Sequence, residues 1–287
     1  MIYNRDTGRL IDEKTFGSGQ TKFLYSTVVG RMLLRITSSK CFSNVKARYY
    51  NSSRSVKEIK RLEKTYDINS DEYVKQTFKS FGDFFVRKLK PESRPFSKKP
   101  TDFISPADSK LICKKISEQL IISIKGGEYS IADIIDDADT AKSYNGGVCL
   151  IFRLSMDDCH RYIFSDDGEL GWTKTIKGKL HTIQPISHSR YKSYASNHRV
   201  VSKLKTKHFC DTIVIEVGAL LVGRINNHRK DCFKKGEEKG YFELGGSTII
   251  VLLKPNILRV DEDIMRYSKD DIETKVKQGE TTGKLYV

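Results

Sequence analysis

The chain has 287 residues, enough for one large domain or two small ones with a real core. Its 51 Lys and Arg exceed its 36 Asp and Glu, and the resulting formal charge of +15 favours anionic partners: nucleic acid, anionic membrane or an acidic protein. An aromatic content of 10% argues against wholesale disorder, and no long uninterrupted apolar run signals a membrane span.

In chain order, the polar start from Met1 to Asp12 carries Arg5, Asp6 and Arg9 and lacks the pattern of a signal peptide. Residues 20–40 follow a helical period, with Tyr25, Val28, Val29, Met32, Leu33 and Ile36 on one face. Lys22, Arg31, Arg35 and Lys40 surround that face, so the segment reads equally as a membrane-interface helix or as a helix packed on the domain. A second helix is expected over 70–85, with Ser70 as N-cap and Val74, Phe78, Phe81 and Phe85 on a shared face. Pro91, Pro95 and Pro100 then impose an extended linker. The remainder reads mainly as strands, at 148–154, 213–217, 219–225 and 248–253. The expected fold class is α+β, with a helical N-terminal region of residues 1–75 leading into a mainly β, sandwich- or barrel-like catalytic domain of residues 76–287.

The cysteines, Cys41, Cys113, Cys149, Cys159, Cys210 and Cys232, form no C-x-x-C pair, and the histidines lack zinc-finger spacing. Reduced thiols and no metal site are expected. Three short segments hold groups with chemical potential. In Gly245-Gly246-Ser247-Thr248, a hydroxyl follows two glycines, whose backbone freedom allows a side chain to approach the preceding carbonyl. In Ser105-Pro106-Ala107-Asp108, a proline fixes the backbone before a carboxylate, and in Asp157-Asp158-Cys159-His160-Arg161 a histidine follows an apolar strand. Taken singly, each reads as a turn or a strand end. Together they offer an Asp, a His and a Ser for a proton relay, with His160 taking the Ser247 proton and Asp108 holding the His tautomer.

These segments are similar to ordered motifs of the phosphatidylserine decarboxylases. Phe84-Phe85-Val86-Arg87-Lys88-Leu89-Lys90-Pro91 with Arg94-Pro95 resembles the family's FFxRKLKP…RP block, Ser105-Pro106-Ala107-Asp108 its SPAD block, and Asp158-Cys159-His160-Arg161 its DYHR block. Val217-Gly218-Ala219 and Val222-Gly223 resemble its VGA…VG pair, and Lys235-Gly236-Glu237 through Gly240-Tyr241-Phe242 to Gly245-Gly246-Ser247-Thr248 resembles its KGxExGxFxxGST block. Gly279-Glu280 resembles the GE of its tail. The likeness runs from about Phe78 to the C-terminus.

The resemblance implies a proenzyme that cuts itself between Gly246 and Ser247, giving a β chain of residues 1–246 and an α chain of residues 247–287. Asp108 and His160 carry over as the charge relay and Ser247 as the nucleophile. Ser247 would become a pyruvoyl group that forms a Schiff base with the amine of phosphatidylserine. Decarboxylation leaves a carbanion, and no side chain of the twenty is an electrophile able to accept its electron pair, so a ketone made in place takes the role of a cofactor. The product would be phosphatidylethanolamine, in phospholipid biosynthesis. The implied partners are anionic phospholipid, the cytoplasmic membrane surface, held peripherally, and the chain's own α and β halves. A higher oligomer stays open, and nucleic acid is not expected. Lys22, Arg31 and Arg35 are the candidate membrane contacts, each well-placed basic residue contributing about 1 kcal/mol. The rival readings are a pyruvoyl decarboxylase of a soluble amino acid and a non-catalytic basic lipid-binding relative.

Three positions depart from the family pattern. Cys159 stands where tyrosine is usual, Ile163 where many members have a second histidine, and Gly245 where Leu or Val is frequent. His160 is therefore the relay histidine of choice. His181, in Gly178-Lys179-Leu180-His181, is read as structural.

Overall fold

The structure, a computed structural model, describes residues 1–13, 23–27, 29–30, 32–33, 40–124, 127–181, 192–219, 224–244 and 247–286, with the side chains of 40–44 left aside. Among them, a ten-stranded sheet forms the centre. Its spatial order is Cys232–Phe233, Gly168–Ile176, Arg199–Thr206, Asp211–Gly218, Ser247–Leu253, Val148–Leu154, Ser109–Lys115, Glu273–Val276, Ile2–Asn4 and Arg9–Ile11. All neighbours are antiparallel except Ile2–Asn4, which runs parallel to Glu273–Val276.

Both faces of the sheet centre are covered, which is why residues 148–152 and 249–253 read as continuous apolar runs rather than alternating ones. On one face Phe152, Leu154, Ile249 and Val251 pack against Tyr162, Phe164 and Phe242. Tyr162 and Phe242 come from a small sheet of Ile225–Asn227, Glu238–Phe242 and Arg161–Ile163, and Phe164 directly follows its last strand. The other face buries Ile151, Ile215, Ile250 and Leu252 against the hairpin and short helices around Ile122, Tyr129, Ile131 and Ile135. The fold is mixed and mainly β, in agreement with the α+β expectation.

The strands expected at 148–154, 213–217 and 248–253 are present as Val148–Leu154, Asp211–Gly218 and Ser247–Leu253. The strand expected at 219–225 falls largely on residues outside those described; Ile225–Asn227 is a strand. The helix expected over 70–85 is corrected. Ser70–Glu72 is a single 3-10 turn, the chain then runs extended, and only Phe81–Phe85 is helical. The cap is Ser80, whose Oγ accepts from the Asp83 N–H, and not Ser70. The Val74 N–H instead donates to the Lys88 carbonyl at 2.9 Å, and Tyr73 bridges to Leu89, so tertiary pairing displaces the local helix.

The N-terminal region is helical in part. Residues 23–26, 29–30, 32–33, Lys40–Tyr50 and Lys57–Tyr66 are helical, whereas Ile2–Asn4 and Arg9–Ile11 extend the central sheet. Arg5 ties this start down through Asp261, Asp263 and Glu280, each within 2.8 Å. The helices dock through Ile59, Leu62, Phe81, Phe84 and Phe85, which cluster with Leu244 and the half-buried Met156.

Candidate active site

Ser247 opens the central strand Ser247–Leu253, paired with Gly218 on one side and Leu154 on the other. Side chains alternate across a strand, and Ile249 and Val251 lie in the cluster that contains Tyr162 and Phe242, so Ser247 faces the small sheet that continues from His160. Its hydroxyl is buried and has no hydrogen-bond partner among the described residues. An unmatched hydroxyl in this position costs about 1–3 kcal/mol. Leu244, three residues earlier, stands at φ +21°, outside the regions a branched L-residue ordinarily occupies. Gly245 and Gly246 lie outside the described residues.

Asn197 braces the strand beside Ser247. Its amide donates to the Gly218 carbonyl at 2.8 Å and to the His181 carbonyl at 2.8 Å, and its Oδ1 accepts the His181 N–H at 3.0 Å. His181 is thus fixed through its backbone. Burial, followed by the charge of Lys179, pulls its ring down to a pKa of about 4.

His160 immediately precedes Arg161–Ile163 and is fully buried. Its Nδ1 lies 3.0 Å from the Asp158 carbonyl, an acceptor only, so this nitrogen carries the proton of the neutral ring. The other nitrogen, Nε2, is an acceptor with no partner among the described residues. The ring stacks on Phe85 with centroids 4.0 Å apart. Phe85 also belongs to the cluster of Leu244, and this apolar wall joins the His160 corner to the segment leading into Ser247. Burial first, then the cation of Arg87, hold the imidazole pKa down to about 3; Lys110 acts in the same direction, and the Asp158 carbonyl and Asp157 oppose. The ring is therefore an uncharged base throughout the neutral range.

The hydrogen bond from the His160 ring N–H to the Asp108 carboxylate expected of a relay is not formed. The Asp108 carboxylate takes the Arg94 fork instead, with Nε and Nη2 each at 2.9 Å, and accepts the Gln278 N–H at 2.8 Å. The reason is electrostatic: a buried carboxylate is held best by a bidentate guanidinium, and Arg94, itself held by Glu72 and the Ser93 carbonyl, is within reach while the imidazole Nδ1 is occupied. The link to His160 is indirect. Gln278 donates through Nε2 to the Arg161 carbonyl at 2.8 Å, and the Ile163 N–H donates to the Pro106 carbonyl at 2.9 Å. Gly279, at φ +81°, turns the chain here and donates its N–H to Ser105. Ile163 is therefore part of the frame between the two segments.

The 157–161 segment is held from below. Lys110 pairs with Asp158 at 2.7 Å, and the Ser155 N–H reaches the same carboxylate at 2.6 Å. Cys159 has a buried thiol, driven up to about 11 by burial and then by Asp108, and its Sγ lies 3.7 Å from the Arg87 carbonyl. It is packing here, not a nucleophile. A cleft of about 190 Å³ opens over Asp108, Arg94, Asp158, Glu72 and Lys277.

Arg94, Gln278, Asn197 and the Asp158 carbonyl were not singled out from sequence. Arg94 and Gly279 stood inside quoted motifs, and that adjacency was the available signal. Lys22, Arg31 and Arg35 lie outside the described residues. Of the apolar face they border, Tyr25 is buried, Val29, Met32 and Leu33 are exposed, and Val28 and Ile36 lie outside the described residues; the neighbouring Phe23 is also exposed. No helix among the described residues is long and apolar enough to cross a membrane.

Comparison with known proteins fits this arrangement. The family described as phosphatidylserine decarboxylase matches residues 81–284. The chain is 49% identical over 283 residues to phosphatidylserine decarboxylase proenzyme 2 of Clostridium acetobutylicum, covering 98% of this chain and 97% of that one. It is 37% identical to the phosphatidylserine decarboxylase proenzyme of Clostridium kluyveri, with 99% and 98% covered, and 36% identical to that of Ruminiclostridium cellulolyticum, with 99% and 97% covered. The chain belongs to the phosphatidylserine decarboxylase family.

Proposed function

We propose that the chain is a self-processing decarboxylase that converts phosphatidylserine to phosphatidylethanolamine and carbon dioxide. The observation that carries this reading is a pair of buried, unpartnered atoms, Ser247 Oγ and His160 Nε2, in segments joined by the Phe85–Leu244 wall. A hydroxyl awaiting a base and a base awaiting a proton are what acyl transfer from Ser247 requires.

In the first step His160 Nε2 takes the Ser247 proton as Oγ bonds to the Gly246 carbonyl carbon. The C–N bond between Gly246 and Ser247 breaks, and the Ser247 nitrogen takes up a proton, leaving an ester. Removal of the Ser247 Cα proton then breaks the Cβ–O bond. This frees residues 1–246 as a carboxylate-ended β chain and leaves dehydroalanine at the head of residues 247–287, the α chain. Water adds after tautomerisation and ammonia leaves. Asp108 orients the His160 strand through Gln278 and Arg161, in place of a direct bond.

The residues fit a pyruvoyl group. Ser247 supplies all its carbon atoms, and Gly218 and Leu154, its register partners, flank the place it would occupy. Such a group supplies a ketone that accepts the electron pair released when carbon dioxide leaves. His160 Nε2 can carry the proton needed at the carbon that lost the carboxylate.

The lipid substrate stays in the bilayer, so the enzyme works as a peripheral protein at the cytoplasmic membrane surface. The exposed Phe23, Val29, Met32 and Leu33 support an N-terminal region, residues 1–75, that enters the interface, with Lys22, Arg31 and Arg35 as its charge. Residues 76–287 form the catalytic unit. The test is purified full-length protein assayed on phosphatidylserine vesicles and on free serine. Phosphatidylethanolamine formation is expected; activity on the free amino acid alone would refute the lipid assignment, and inactivity of fully cleaved protein on both would refute the enzyme assignment.

A further inference from the structure

Arg87 is 1% exposed and makes no ion pair among the described residues. A buried guanidinium without a carboxylate is costly, so its contacts must justify its charge. Its ring-stacked position is tight, with the guanidinium carbon 4.5 Å from the Tyr73 centroid and 4.6 Å from that of Phe84. Its Nη2 donates to the Asp157 carbonyl at 2.8 Å and reaches the Asp158 carbonyl at 3.4 Å and the Tyr73 hydroxyl at 3.2 Å. The Asp158 carbonyl is the same oxygen that faces His160 Nδ1. The backbone on either side of this contact is also tied down. Cys159 Sγ lies against the Arg87 carbonyl, and Arg161 Nε donates to the Val86 carbonyl at 2.8 Å.

We propose that Arg87 is a positioning residue for His160, fixing the Asp157–Asp158 carbonyls so that His160 presents a bare Nε2 lone pair. This rests on the reading of His160 as the base. The geometry sets the tautomer, because a carbonyl held in place can only accept, and a second device sets the charge. A cation beside the ring opposes a second proton, as does Lys110 from the sheet below; Asp157 and the Asp158 carbonyl oppose them. The Asp158 carboxylate is engaged by Lys110 and Ser155, and Phe85, stacked on the ring, brings no charge. The arginine thus does for His160 what a carboxylate partner does in other relays, with one difference: a carboxylate would favour the imidazolium, whereas Arg87 keeps the ring neutral.

Nitrogen-15 NMR of the histidines in intact, full-length Ser247→Ala protein tests this without relying on turnover. The expected His160 signal is the neutral Nδ1–H tautomer, unchanged from pH 5 to pH 8. Adding Arg87→Met should mix the tautomers and move protonation up by about one pH unit or more; on the Ser247 chain it should slow cleavage at least about tenfold and give the rate an acid limb. Arg87→Lys, which keeps charge but loses the fork, should restore neutrality more than the tautomer. An Nε2–H tautomer in the Ser247→Ala protein, or titration near the ordinary histidine value, would overturn the proposal even if Arg87→Met fails to fold. So would a folded Arg87→Met with unchanged tautomer and pH profile. The two readings separate: normal cleavage by His160→Ala refutes His160 as the base, whereas loss of cleavage in His160→Ala together with an Nε2–H tautomer of His160 in the Ser247→Ala protein refutes Arg87 alone.

Discussion

The Asp108 corner and the His160–Ser247 corner are both buried and polar, but only one is satisfied. Asp108 has two hydrogen bonds from Arg94 and one from Gln278. His160 and Ser247 each keep a polar atom with no partner. Arg87 Nε, Thr248 Oγ1 and Thr274 Oγ1 are likewise buried without a partner among the described residues, so what supports the proposed chemistry is that this pair combines a hydroxyl with a histidine base.

The largest effect that would sharpen this contrast is on Ser247. Ser247→Ala should abolish cleavage, leaving one chain on a denaturing gel, and should cost nothing in stability, because it removes an unpartnered hydroxyl. Next comes His160→Ala, expected to slow cleavage by about 10²–10⁴-fold in time courses at pH 7. Asp108→Asn should behave differently. Measured by denaturant unfolding in the Ser247→Ala background, it should lose about 1.5–3 kcal/mol, since it removes one of the two carboxylates that hold the buried Arg94 and leaves Glu72 alone. If Asp108→Asn instead stopped cleavage at unchanged stability, the frame and the reactive corner would not be distinct.

A smaller effect concerns pH. His160 titrates near 3 when folded, against 6.5 for the free side chain. Below the free value the unfolded chain takes up a proton that the folded chain refuses. Its contribution to stability is therefore whole above pH 6.5 and lost as pH falls toward 3, at about 1.4 kcal/mol per pH unit. In the Ser247→Ala background, His160→Gln should flatten the unfolding free energy across this window. The smallest expected change is Asn197→Ala, which loses the brace on Gly218 and should slow cleavage severalfold while His160 still reads as neutral by NMR.

How far the sequence spoke follows the same division. Val148–Leu154 and Ser247–Leu253 were legible because two-sided burial writes itself as a continuous apolar run within each. Ser247, Asp108 and His160 could be proposed from sequence because each sits in a short motif. What stayed hidden is long-range. Ile2–Asn4 has three residues and no pattern of its own, and becomes a strand only by lying along Glu273–Val276. The helix expected over 70–85 loses its first half to pairing with Lys88–Lys90. Gln278 reaches Asp108 across 170 residues, and no spacing rule connects them. The direct Asp108–His160 bond was expected from the relay pattern, and the Arg94 fork that replaces it came from a motif quoted for its proline.

The most direct measurement is intact-mass analysis of the purified full-length protein. We expect two chains, with the smaller one beginning at position 247 and lighter than its serine-headed sequence by one ammonia. A single chain of 287 residues with Ser247 unchanged, after incubation at neutral pH, would contradict self-processing at this site.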